Sequence, residues 1–164
     1  MSISPIPTRS NSLDSITSIP EVVVAPTLLF RVGASTYGCD ISDAQEIIPL
    51  RPVTRLPGAP ASVRGLMNMR GIIVTVLDLG VRFDPARAPA TDGSILLIRY
   101  RDRLVGVLVD EVLDVRVLDP DSDDDRPGRG SAAGGEIVRR VVTVGDGTVI
   151  VLDLDVLITQ VLLS

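Results

Sequence analysis

Short apolar runs rich in Val, Ile and Leu recur along the chain, separated by breaks that contain Gly, Pro or Asp. This pattern predicts strands joined by tight turns. Residues 28–32 form a strand, 33–36 a hairpin loop and 37–41 the return strand. Residues 44–50 form a third strand, bounded by Pro49 and Pro52. Pro57, Gly58 and Pro60 predict a rigid loop, and 61–64 one helical turn begun by Pro60. Two apolar arms follow, within 63–79, around a polar knot, Asn68-Met69-Arg70-Gly71. The second arm is β-branched, and the knot reads as a hairpin turn because Asn and Gly tolerate left-handed backbone. Asp78 is placed to cap a short helix over 79–83, which Pro85 ends.

A Pro/Ala connector spans 84–93. Strands follow at 94–100 and 104–109, with a tight turn at Arg101-Asp102. Residues 112–118 alternate, with Leu113, Val115 and Val117 facing one way and Asp114 and Arg116 the other, the period of a half-buried strand. Residues 119–135 carry five Asp and four Gly without an apolar run, and read as a mobile loop. A hairpin over 137–152, turning at Gly145-Asp146-Gly147, precedes a C-terminal amphipathic helix, 154–163, capped by Asp153. Residues 1–26, with six Ser and four Pro, form a disordered leader.

The two halves repeat. With an offset of 68, residues 28–50 lie over 96–118 without a gap, and Gly38 meets Gly106. With an offset of 75, Val76-Leu77-Asp78-Leu79 lies over Val151-Leu152-Asp153-Leu154; the extra residues fall in the acidic loop. Each half is about five short strands and a helical turn. The expected architecture is all-β: two small five-stranded barrels, produced by internal duplication and sharing one core. The first barrel is expected mainly over 27–83 and the second mainly over 94–163.

The repeat also isolates chemistry. Asn68-Met69-Arg70-Gly71 falls on Thr143-Val144-Gly145-Asp146, so the fold itself does not require Asn and Arg at that turn. Glu46 falls on Asp114, on the strand side expected to face solvent. The first half thus holds a potential Glu46–Arg70 pair that the second half cannot form.

Composition narrows the function. The chain has 164 residues, 45% of them apolar and only 2% aromatic, so its core is aliphatic. Net charge is −5, and outside the acidic run the chain is neutral, which leaves no basic stripe for nucleic acid or anionic lipid. There is no His, the commonest general base and metal ligand, and no Gly-x-Ser-x-Gly or paired-Cys motif. Asp119, Asp121 and Asp123 have the alternate spacing of a calcium loop, but the sixth position is Asp124 and the twelfth Gly130. Cys39 is the lone cysteine and reads as inert core. No signal peptide or apolar stretch of about 20 residues is visible, so the chain is expected to be cytoplasmic. No enzyme activity, cofactor or metal is expected.

Five motifs in order resemble the CheW-like coupling proteins of bacterial chemotaxis. They are Gln45-Glu46-Ile47, Val63-Arg64-Gly65-Leu66-Met67-Asn68-Met69-Arg70-Gly71, Val76-Leu77-Asp78-Leu79, Gly106-Val107-Leu108-Val109-Asp110 and Val151-Leu152-Asp153. The resemblance runs from about residue 28 to 157. It implies two SH3-like barrels and a non-enzymatic adaptor. It also implies two partners, a methyl-accepting chemoreceptor tip and the regulatory domain of the histidine kinase CheA, with other CheW-like domains joining in rings. The positions it marks for receptor or kinase binding are Glu46, Arg70, Ala44, Met67, Asn68 and Met69. It implies recruitment to membrane-associated receptor arrays without insertion of this chain. Departures are the long Ser-rich leader, the acidic Gly-rich loop and Met69 where Leu is usual. The first two leave open a non-chemotaxis pathway such as twitching or gliding motility. A double-barrel small-molecule sensor is the reading from another class.

Overall fold

A computed structural model describes residues 25–118, 123–124 and 137–163. The expected leader and most of the acidic loop lie outside the described residues. Eleven strands are described: β1 Thr27–Val32, β2 Ser35–Asp40, β3 Ala44–Pro49, β4 Val63–Met69, β5 Ile72–Asp78, β6 Ser94–Tyr100, β7 Arg103–Val109, β8 Glu111–Arg116, β9 Asp123–Asp124, β10 Val138–Val144 and β11 Gly147–Leu152. Two α-helices accompany them, α1 Leu79–Phe83 and α2 Leu154–Leu162, with a 3-10 turn at Ile41–Asp43. The expected helical turn at 61–64 is absent. Val63 N–H bonds back to Pro60 O at 2.9 Å, a simple turn, and Val63 already opens β4.

The strands form two sheets, ordered β8-β1-β2-β11-β10-β9 and β3-β6-β7-β5-β4. The sheets do not follow the halves of the sequence, which corrects the expected barrel boundaries. The second sheet is one contiguous stretch from β3 to β7, and the first takes β1 and β2 together with β8 to β11. The cause lies in the pairing. β3 pairs with β6 and β5 runs parallel to β7; in the same way β8 pairs with β1 and β11 runs parallel to β2. Each sheet therefore combines the first two strands of one repeat with the later strands of the other.

The duplication extends to irregularities. The register shifts between Val63 and Gly65 opposite β5, and between Val138 and Arg140 opposite β11, at the offset of 75. It also shifts between Ala44 and Glu46 opposite β6, and between Val112 and Asp114 opposite β1, at the offset of 68. Bulges bend a strand, as closure of a short sheet requires. Both helices start alike: the Asp78 carboxylate accepts from Val81 N–H and that of Asp153 from Val156 N–H, each at 3.1 Å.

Three apolar clusters follow. One lies between the sheets, joining Leu28, Phe30 and Val32 of β1 with Leu96, Ile98 and Tyr100 of β6, and Leu152 with Leu77. A second is formed within the β3–β7 sheet (Ile48, Met67, Met69, Val74, Val76, Leu97) and a third within the other (Leu29, Val142, Val149, Val151). The shared aliphatic core expected from the sequence is the first of these. β8 differs from expectation. Leu113, Val115 and Val117 are 43%, 47% and 65% exposed rather than half-buried. Among the described residues β8 ends its sheet and pairs with β1 alone, and its bulge interrupts the alternation.

Candidate functional site

The site is built from the two edges of the β3–β7 sheet. β3 lies at one edge and β4 at the other, with Arg70 at the tip between β4 and β5. A two-residue hairpin whose twist matches its strands needs positive φ at both central positions. Arg70 and Gly71 occupy them at φ 53° and 84°. Asn68 is not a turn residue: it stays in β4, and its Oδ1 accepts from Gly71 N–H at 2.8 Å. In the other repeat the position of Arg70 is held by Gly145, at φ 59°. An L residue in this conformation costs about 1 kcal/mol, so the arginine is retained against local preference.

Arg70 reaches across the seam. Its Nη1 donates to Glu46 Oε1 at 3.0 Å and its Nη2 to Oε2 at 2.8 Å, a two-pronged pair that closes one end of the sheet. The Arg70 side chain remains 71% exposed. The guanidinium holds the Glu46 carboxyl below its usual range and is itself pushed up by that carboxylate. In the other repeat the partners of Asp114 among the described residues are on its own strand, Val115 N–H at 2.7 Å and Arg116 Nε at 3.4 Å.

The remaining sequence-marked residues separate. Met67 and Met69, two of the marked positions, are buried in the core of the β3–β7 sheet. They share a face of β4 with each other and not with exposed Asn68. Ala44 is half-buried against the shared core. Sequence reasoning missed Ile47, Ile72 and Ile73, exposed at 42%, 53% and 61%, next in the chain to Glu46 and to the Arg70-Gly71 turn. The offset that singled out Arg70 carries the missing signal, since Ile72 and Ile73 fall on Gly147 and Thr148. Ile72 lies opposite buried Met69 and Ile73 opposite exposed Asn68, so the two isoleucines flank the turn on opposite faces of β5.

Other features do not compete with this patch. A concavity of about 560 Å³ is lined by Arg31, Arg87, Asp110 and Glu111 among others, but these charges are spent on each other, Arg31 on Glu111 and Arg87 on Asp110. That gives a small-molecule sensor little to recognise with. Cys39 is fully buried, and burial, with Asp43 and Asp40 nearby, pushes its thiol up to about 12. Among the described residues no group of three or more Cys, Asp or Glu is placed to hold a metal, and no helix is long and apolar enough to cross a membrane.

The described residues form two interlocked sheets of duplicated strands, and an exposed ion pair joins the two edges of one of them. The CheW-like domain model matches residues 26–162, and the chain belongs to that family of non-enzymatic adaptors of chemosensory signalling. It is 29% identical over 141 residues to a chemotaxis protein CheW of Klebsiella aerogenes, covering 85% of each chain. It is 28% identical over 130 residues to one of Treponema pallidum, covering 76% of each. Among solved structures it resembles the scaffolding protein TtCheW of Thermoanaerobacter tengcongensis at a TM-score of 0.71 and 26% identity, over 80% of this chain and 86% of that one.

Proposed function

We propose that this chain couples a methyl-accepting chemoreceptor to the regulatory domain of the histidine kinase CheA, working in the cytoplasm and recruited to receptor arrays at the membrane. The observation that carries the receptor half of this reading is the exposed Glu46–Arg70 clamp with Ile72 and Ile73 after its turn, which the other repeat replaces with Asp114, Gly145, Gly147 and Thr148, while Ile47 has an apolar counterpart in Val115. The fold keeps its hairpin with or without the clamp, so selection for recognition explains it better than selection for folding. The clamp fixes the geometry of the patch and restricts which partners fit, and the isoleucines supply dehydratable surface. Individual contacts of this size are weak, and an array strengthens them by raising effective concentration.

The test is binding of the purified chain to a chemoreceptor cytoplasmic fragment and, separately, to a CheA regulatory domain. Arg70→Glu places two carboxylates at the seam. It is expected to weaken receptor binding by about tenfold or more while the melting temperature moves by only a few degrees. Undiminished receptor binding by this variant, or failure of the parent to bind either partner, would refute the assignment.

A further inference from the structure

The two-residue turns at Arg70-Gly71, Arg101-Asp102 and Gly145-Asp146 share a positive φ at the first central position, 53°, 55° and 59°. They differ at the second. Gly71 is also positive, at φ 84°, whereas Asp102 and Asp146 have negative φ. Positive φ at both positions marks a type I′ turn, and positive φ at the first alone a type II′ turn. The two types differ mainly by a flip of the peptide that joins the central residues. In the first turn that peptide carries Gly71 N–H. The backbone bond of a turn runs from its fourth residue to its first and leaves this N–H unused, so its acceptor comes from elsewhere. Here it is the Asn68 side chain, whose Oδ1 accepts from Gly71 N–H at 2.8 Å.

The other two turns lack this bond. The place of Asn68, two residues before the first central position, is held by Arg99 before Arg101, and arginine has no acceptor. It is held by Thr143 before Gly145, whose hydroxyl makes no such bond among the described residues. Arginine at positive φ therefore does not by itself bring the type I′ form. The arginines differ in step with their turns. Arg101 lies over the Tyr100 ring, 5.0 Å from its centroid, with no ion pair among the described residues. Arg70 engages both oxygens of Glu46, and a fork of that kind tolerates little displacement of the backbone beneath it. Asn68 is exposed opposite Ile73, so its carboxamide is not needed to fill a core. We propose that Asn68 is a positioning residue: its side-chain oxygen holds the Arg70–Gly71 peptide in the type I′ orientation and so seats the guanidinium on Glu46. The amide accepts without adding a charge, which leaves the arginine fork to Glu46. Asn68 thus acts through Arg70 rather than by touching the partner. Its part in receptor binding rests on the proposed function; its hold on the clamp does not.

The test reads Glu46 itself. Its carboxyl carbon is titrated by NMR in the full chain, for the parent and for Asn68→Val, a β-branched replacement that suits a strand. In the parent Glu46 is held low by the Arg70 hydrogen bonds, with a smaller contribution from Arg51. In Asn68→Val its pKa is expected to rise toward the usual value, Arg51 keeping part of the shift. Arg70→Gly should raise it at least as far, and adding Asn68→Val to Arg70→Gly should raise it no further, because the asparagine acts through the arginine. The melting temperature of Asn68→Val should stay within a few degrees of the parent, since the β6–β7 and β10–β11 hairpins form without such a bond. Binding to the chemoreceptor fragment is expected to weaken about three- to tenfold. An unmoved Glu46 titration in Asn68→Val, or a shift that persists in the Arg70→Gly background, would overturn the proposal. So would lost receptor binding with Glu46 unmoved, which would make Asn68 a contact residue. A moved titration with undiminished receptor binding would uphold the hold on Arg70 and count against the receptor reading instead.

Discussion

Arg70 and Gly145 solve one backbone problem in two ways. Both sit at positive φ, 53° and 59°, at the first turn position of equivalent hairpins. The β1–β2 and β6–β7 hairpins repeat the contrast, with Gly33 at φ 63° and Arg101 at φ 55°. Replacing Arg70 by Gly relaxes the backbone and removes the clamp. Arg70→Gly is therefore expected to keep or slightly raise the melting temperature while losing receptor binding, read by thermal melts and binding on the same sample. That separation of stability from recognition is what a purely structural arginine would not show. The clamp was legible in the sequence because the repeat offered an internal control. The burial of Met67 and Met69 was less so, because methionine suits core and interface equally and only the pleat of β4 decides between them.

Acid stability is also set at this scale. Glu46 is held low by the Arg70 hydrogen bonds, and Asp40 by the Ser42 N–H and hydroxyl. At Asp110 burial pushes the carboxyl up, but Arg87 and Gly33 N–H outweigh it and the net shift is downward. A carboxyl whose folded pKa lies below its unfolded value contributes stability above the unfolded value, and the contribution is lost as pH falls through the folded one. Asp43, raised mainly by burial, works the other way. With three groups against one, the melting temperature should hold steady from neutral pH to about 5 and fall below about 4, as a melt series in buffers of matched ionic strength would show.

Among the elements, the close strand packing rests on particular glycines. A Cβ on Gly38 would lie 2.7 Å from Thr27 Cγ2, and one on Gly106 would lie 2.9 Å from Ile95 Cγ2, equivalent collisions between equivalent residues of the two repeats. Both neighbours are β-branched and stiff. Gly38→Ala and Gly106→Ala are each expected to cost about 1–3 kcal/mol by denaturant unfolding, with similar values for the two sites. Strand positions and both Asp-capped helices could be read from alternation and capping residues, which act locally. The exposure of β8 could not. Leu113, Val115 and Val117 alternate as a half-buried strand would, and only the pairing shows that, among the described residues, β8 is the last strand of its sheet and has a bulge in it.

Across the whole molecule, the exchange of strands makes the two barrels interdependent. Sequence similarity revealed the duplication but not the exchange, because parallel pairing of β2 with β11 and of β5 with β7 leaves no local trace in the residues involved. Each repeat sends strands into both sheets, and the core between them draws on both. Residues 25–92 or 93–163 expressed alone are expected to lack the dispersed NMR spectrum of a folded chain. Mixed or co-expressed, they should recover it. An independently folded fragment 25–92 would contradict the reciprocal pairing. The intact chain should melt in one transition.

The same exchange has a consequence for how such a chain can arise. A single repeat has two strands that want a partner's three and three that want a partner's two, so alone it can close only by swapping segments with an identical molecule. The present chain has the form of such a swapped homodimer after its two subunits have been joined end to end. Joining turns an assembly that dissolves on dilution into one that does not. It also frees the two copies to diverge. One carries a plain glycine at the turn and the other an arginine, a difference that a symmetric homodimer of one gene could never have held.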